Sequence, residues 1–109
     1  MGMAKSRVLY ADHRPYTVSD SLEELSGPVA GVVELPLHLD WSEQGRYDLA
    51  DVRELSLMYE RVLREAQDVE DLRRFLNGAV LRQVWHRLFL PRRVRELWEG
   101  RFPDLARAA

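Results

Sequence analysis

The chain has 109 residues, 46% of them hydrophobic and 31% charged, with a formal net charge of -2 and no cysteine. That length holds about one domain with one modest core, and the absence of cysteine excludes disulfide staples, zinc ribbons, iron–sulfur clusters and cysteine nucleophiles. A total charge so close to zero gives no global pull toward nucleic acid or membrane, so any electrostatic function rests on local asymmetry.

The first 47 residues read as short mixed elements. Val8-Leu9-Tyr10 suits a brief strand, ended by the turn Asp12-His13-Arg14-Pro15. Asp12, His13, Arg14 and Tyr16 make a dense polar group on a turn stiffened by Pro15, which fits either a recognition loop or a plain structural turn. Asp20 with Glu23, and Ser21 with Glu24, have capping-box spacing, so a short helix is expected over 20–26, stopped by Gly27-Pro28. Val29 to Leu35 is β-branched between prolines and predicts a strand buried on at least one face. Leu37, Leu39 and Trp41 alternate with His38 and Asp40, which predicts a second extended stretch; Pro36 between them marks a bulge or an edge. Ser42 to Tyr47 reads as an exposed connection.

The remaining residues, 48–109, read as helical. With Asp48 or Asp51 as N-cap, Val52, Leu55, Met58, Tyr59, Val62, Leu63 and Ala66 recur at spacings of three and four, the stripe of a helix of about four turns. Glu60 with Arg64 and Arg61 with Glu65 are i,i+4 pairs on its polar side. Asp68 starts a second helix through Val69, Leu72, Phe75 and Leu76, ended by a left-handed turn at Asn77-Gly78. A third helix over 79–89 turns Leu81, Val84, Trp85 and Leu88 inward. Pro91 suits the first turn of a fourth, with Val94, Leu97 and Trp98 as its apolar side and Gly100 and Pro103 as its stop. The expectation is one α+β domain over 1–109, in which a small N-terminal β-containing unit packs on a C-terminal bundle of about four helices.

Charge is uneven along the chain: residues 1–47 carry -3, residues 48–71 carry -5 and residues 72–109 carry +6. The second and third helices have helix-turn-helix proportions, and the outer face of the third holds Arg82, Gln83, His86 and Arg87. Arginine reads guanine and glutamine reads adenine through paired hydrogen bonds, while Arg92, Arg93 and Arg95 stand where phosphates would be met. The same residues equally make a solvated face whose arginine stems lie over apolar neighbours. Trp41, Trp85, Trp98, Phe89 and Phe102 are a heavy aromatic load for a small domain, and the part that is not core marks a protein interface; Trp98 and Phe102 are the expected anchors there. His13, His38 and His86 lack metal-ligand spacing, so no metal is expected. No G-x-S-x-G elbow and no phosphate-cradling glycine loop occurs, so the chain is read as a non-enzyme without a cofactor. There is no apolar run long enough to span a bilayer and no signal-like N-terminal segment, from which a cytoplasmic location without membrane contact is expected.

Asp12-His13-Arg14-Pro15-Tyr16, the run Leu57 to Ala66, the run Leu90 to Arg95, Trp98-Glu99 and Arg101-Phe102-Pro103 resemble a family of small actinobacterial proteins. Its members are called hypothetical proteins or transcriptional regulators, and some are encoded beside a nucleotidyltransferase-type toxin of the abortive-infection class. The resemblance covers most of 7–105 and implies an antitoxin or accessory role in a toxin–antitoxin or phage-defence system; it carries no catalytic residue. The expected function is thus a non-enzymatic, antitoxin-like or partner-masking regulator that binds a protein partner or a second copy of itself, with a helix-turn-helix DNA-binding regulator as the alternative. In that division of labour the acidic 48–71 segment faces a basic partner and the basic C-terminal helices face DNA or an acidic partner.

Overall fold

The computed structural model describes residues 16–42 and 45–107. Val8-Leu9-Tyr10 and the turn Asp12 to Pro15 lie outside them. Among the described residues the elements are β1 (Val32–Glu34), β2 (Arg46–Asp48), α1 (Val52–Glu65), α2 (Val69–Phe75), α3 (Gly78–Val84), a 3-10 turn over Trp85–Arg87, α4 (Arg92–Arg101) and α5 (Pro103–Arg107). This is the α+β arrangement expected, a small two-stranded antiparallel sheet followed by a mostly helical part, with one more short helix than the periodicity showed.

The sheet pairs Val33 with Tyr47, both buried, while the flanking Glu34 and Arg46 face solvent and pair across the strands at 3.5 Å. Opposed inward side chains are the unit that stabilises such a ladder, and so small a sheet also needs a helix behind it. β2 packs on α1. β1 is shorter than the expected strand because Gly31, just before it, takes φ +90°, and Val29 beyond that turn remains exposed. The stretch 37–41 is a turn, not a strand: the Pro36 carbonyl accepts from the N–H groups of both Leu39 and Asp40. Leu39 and Asp40 are buried side by side, whereas Leu37 and Trp41 stand out in solvent, so the alternation there was incidental. The partner strand is Arg46–Asp48, in what reads from sequence as an exposed connection, and its single inward residue is Tyr47.

The expected helix over 20–26 is reduced to one turn. Its capping box forms, with Glu24 Oε2 accepting from the N–H of Asp20 at 2.8 Å and Ser21 Oγ from the N–H of Glu24 at 3.3 Å. One cap cannot offset the cost of a helix nucleus that Gly27-Pro28 prevents from growing. Residues 17–27 instead lie as a strap across the second half of the chain. Thr17 Oγ1 donates to the Ala66 carbonyl, Gly27 N–H to the Leu76 carbonyl at 2.8 Å, and Gly78 N–H to the Leu25 carbonyl at 2.9 Å.

α1 follows its sequence stripe: Leu55, Met58, Tyr59, Val62 and Leu63 are buried, and the Asp51 carboxylate accepts from Arg53 N–H at 2.9 Å. Asp68 caps α2 in the same way. The expected left-handed turn after α2 does not occur. Leu76 and Asn77 are extended, and the Asn77 side chain caps α3 by accepting from Ala79 and Val80. Gly78 is needed for space: a Cβ there would meet the Leu22 carbonyl oxygen at 2.2 Å. The third helix stops at Val84 and tightens into the 3-10 turn, yet Leu81, Val84, Trp85 and Leu88 all point into the core. α4 runs through Gly100, and α5 then brings Leu105 under the bundle. No helix among the described residues is long and apolar enough to cross a membrane.

Candidate functional site

The loop Leu88 to Pro91, between the 3-10 turn and α4, is held by side chains from two helices. Glu60 of α1 accepts the Phe89 N–H at 2.8 Å. Arg95 of α4 donates to the Leu88 carbonyl at 2.6 Å and to the Trp85 carbonyl at 3.5 Å, while its guanidinium lies 4.9 Å from the centre of the Trp85 ring. Leu88 itself is buried, which anchors the base of the loop. On this fixed backbone the Phe89 ring is 86% exposed. Glu60, which accepts the Phe89 N–H, also lines a shallow groove of about 320 Å³ with Arg53, Ser56, Leu57 and Arg87, in which Leu57 is itself 48% exposed. The Ser56 hydroxyl under the groove is buried without a hydrogen-bond partner.

The nine residues singled out from sequence divide into three groups. Gln83, His86, Arg87, Arg92 and Arg93 are exposed, but His86 and Arg87 belong to the 3-10 turn rather than to α3. Arg82 and Arg95 are engaged within the molecule. Arg82 lies 3.8 Å from Glu23 and 3.9 Å from Asp104, over a groove between the strap and α5, and Arg95 holds the loop carbonyls and Glu99. The Arg95 donors are thus engaged by part-buried carbonyls of its own chain. Trp98 is corrected from interface anchor to core: it is fully buried between Trp85 at 6.5 Å and the half-buried Phe102 at 5.7 Å. Among the described residues the exposed aromatics are Phe89 and Trp41 instead. Phe89 falls off the stripe 81, 84, 85, 88, and that offset was the available signal for its exposure.

Many groups of the charged segments are engaged within the fold. Asp51 and Asp68 cap helices, Asp48 accepts from Ala50 N–H, Glu54 from Asp48 N–H, and Asp71 from Gln67 N–H and His38. Five of the eight carboxylates of the acidic segment thus accept hydrogen bonds from nearby backbone. In the basic segment Arg73, Arg82 and Arg101 reach back to Glu24, Glu23 and Asp20 of the strap. Arg73 holds the Glu24 carboxyl below its ordinary value.

A second polar centre lies under Trp41. Asp40, nearly inaccessible, accepts from the Ser42 N–H and hydroxyl and from the Tyr47 hydroxyl, and Arg61 stands 3.8 Å away while also covering the Trp41 ring. Burial would raise the Asp40 carboxyl, but the Ser42 and Tyr47 hydrogen bonds and the Arg61 charge together hold it below its ordinary 3.8. Burial, reinforced by Asp40, pushes the Tyr47 phenol up to about 12. Burial alone raises Tyr59 to about 12 as well, where its hydroxyl accepts the Asn77 N–H at 2.9 Å. The Asp40 contribution to stability is present above the unfolded carboxyl value and lost as pH falls through the lower folded one. The tyrosine contributions are present below pH 10 and lost as pH rises toward 12, on the order of 2–3 kcal/mol each. Urea midpoints across pH check this: in Tyr59→Phe the alkaline loss is expected to be visibly smaller than in the parent protein.

These polar groups make no recognisable catalytic constellation. His38 meets Asp71 at 2.9 Å and ties the 36–41 turn, not a strand, to the start of α2. Among the described residues no three His, Asp or Glu side chains gather as metal ligands would. Comparison with family models, with curated proteins and with solved structures finds no match to this chain.

Proposed function

We propose that the chain is a non-enzymatic binding protein, an antitoxin-like regulator that masks a protein partner by docking on the Leu88 to Pro91 loop. The carrying observation is Phe89, a large apolar ring displayed to solvent on a backbone pinned by Glu60 and Arg95. Aromatic side chains on preorganised backbone are the usual energetic centres of interfaces, because little ordering entropy remains to be lost on binding. The toxin setting rests on the sequence resemblance. DNA reading by α3 has less support, since the helix has seven residues and Arg82 is turned toward Glu23 and Asp104.

The test is an affinity pull-down from the native host at low and moderate salt, with the parent protein and Phe89→Ala side by side. One stoichiometric protein is expected with the parent at both salts. The variant is expected to recover it about thirtyfold less well, matching a hot-spot loss of roughly 2 kcal/mol. Thermal stability should be unchanged to about 0.5 kcal/mol, as for an exposed position without packing. DNA alone, lost as salt rises, or no Phe89-dependent protein at all, overturns the proposal.

A further inference from the structure

We infer that the partner segment seated on this loop is acidic, with an apolar side chain that meets Phe89 and Leu57 and carboxylates on either side of it. The inference rests on the reading of Phe89 as the docking anchor and adds the chemistry of what it binds.

Most guanidinium groups of the described residues are engaged within the fold. Arg46 pairs with Glu34, Arg73 with Glu24, Arg92 with Glu96, Arg101 with Asp20 and Arg107 with Asp104, while Arg74 lies over the Phe75 ring. Arg53, Arg74, Arg87 and Arg93 have no ion-pair partner among the described residues, and all four are exposed. Two of the four, Arg53 and Arg87, line the groove together with Leu57, and Arg93 follows Phe89 by four residues in the sequence. Among the described residues, three of these four arginines thus line this groove or begin the helix that follows the Phe89 loop. α4 adds to this grouping: Arg92 and Arg93 occupy a first turn that contains no acidic residue and receives no side-chain cap. A helix macrodipole favours carboxylates there and disfavours arginine, so the local arrangement is costly alone and relieved by acidic groups from outside.

Cations around an aromatic ring also suit a nucleic-acid strand. Glu60 decides against it, because its carboxylate lines the groove together with Arg53 and Arg87, where a continuous phosphate backbone would meet it. A peptide places its carboxylates individually and avoids that contact. Complementary charge around an apolar anchor sets the register and speeds the encounter, while the anchor supplies most of the affinity.

The test is display selection of short random peptides on the whole purified chain, with Phe89→Ala as counter-selection, followed by anisotropy titration of the enriched peptide. Enriched sequences are expected to carry Asp or Glu on both sides of an apolar residue. The double variant Arg87→Glu, Arg93→Glu should weaken binding about tenfold or more and should regain it with the Lys-substituted peptide. Phe89-dependent peptides that are neutral or basic, or that bind the double variant unchanged, overturn the inference and leave the docking site standing. Absence of any Phe89-dependent peptide overturns both. Tighter binding of a single-stranded oligonucleotide than of the acidic peptide overturns the inference in favour of nucleic acid.

Discussion

Gly78→Ala is expected to destabilise the protein by about 3 kcal/mol or more, although helix propensity alone argues for a gain of roughly 1 kcal/mol at this position. The added methyl would stand 2.2 Å from the Leu22 carbonyl oxygen, which is backbone and has no rotamer to retreat into. The strap must lift from the α2–α3 joint. That breaks the Gly78-to-Leu25 and Gly27-to-Leu76 hydrogen bonds and uncovers the buried Leu22 and Leu25. Against a total stability of roughly 5–15 kcal/mol for a domain of this kind, such a loss is a large share. Gly100→Ala is the matched control, at a glycine inside α4 where an added methyl would meet nothing within 4 Å. It is expected to stabilise by about 0.5–1 kcal/mol through propensity and reduced freedom of the unfolded chain. Urea unfolding of both variants reads the difference. Equal and favourable shifts of the two midpoints would show that the strap does not sit against Gly78 as described.

The second large effect is at the tryptophan pair. Trp85→Ala should cost about 3–5 kcal/mol, since the ring is fully buried, packs against Trp98, lies under Arg95 and donates through Nε1 to Glu99 at 2.9 Å. The finer contrast is between phenylalanine substitutions. Trp98 Nε1 is buried without a partner, so Trp98→Phe removes an unsatisfied donor, worth about 1–3 kcal/mol, while opening a modest cavity. Trp85→Phe opens a similar cavity and loses a hydrogen bond to a charged group. Chemical denaturation should therefore rank Trp85→Ala worst, Trp85→Phe next and Trp98→Phe nearest to the parent. A reversed order of the two phenylalanine variants counts against the hydrogen-bond assignment.

Elements governed by local rules were legible in the sequence, and those set by distant contacts were not. The stripe Leu55, Met58, Tyr59, Val62 and Leu63 specifies one face of α1 whatever packs on it, and Asp51 and Asp68 announce the starts of α1 and α2 by chemistry that operates within one turn. The α+β character followed from the same signals. The hairpin was misplaced because Leu37, Leu39 and Trp41 imitate a strand, whereas the real second strand offers one inward residue, Tyr47. What decided the turn was the buried Asp40, whose partners come from residues 42, 47 and 61. The candidate site shows the same division. The basic, aromatic character of 82–102 was visible, but which cations stay unpaired depends on whether Glu23, Glu24 and Asp20 fold back onto them. Arg73, Arg82 and Arg101 are taken up in that way and Arg95 by Glu99 and the loop carbonyls, whereas Arg87 and Arg93 have no ion-pair partner among the described residues. Trp98 is buried because it continues the inward side of α4, and Phe89 is exposed because it begins a loop after the last inward residue, Leu88.

The strap also bears on how the chain is made. Residues 17–27 leave the ribosome about fifty residues before Ala66, Leu76 and Gly78, the groups to which they bond. Throughout that interval Leu22 and Leu25 have no surface to cover them, and the capping turn at Ser21 and Glu24 is too short to persist alone. Closure therefore waits for α2 and the head of α3 to emerge, so folding during translation is late and cooperative rather than stepwise from the N-terminus. A chain stalled before residue 66 would present two leucines to chaperones that the finished protein hides.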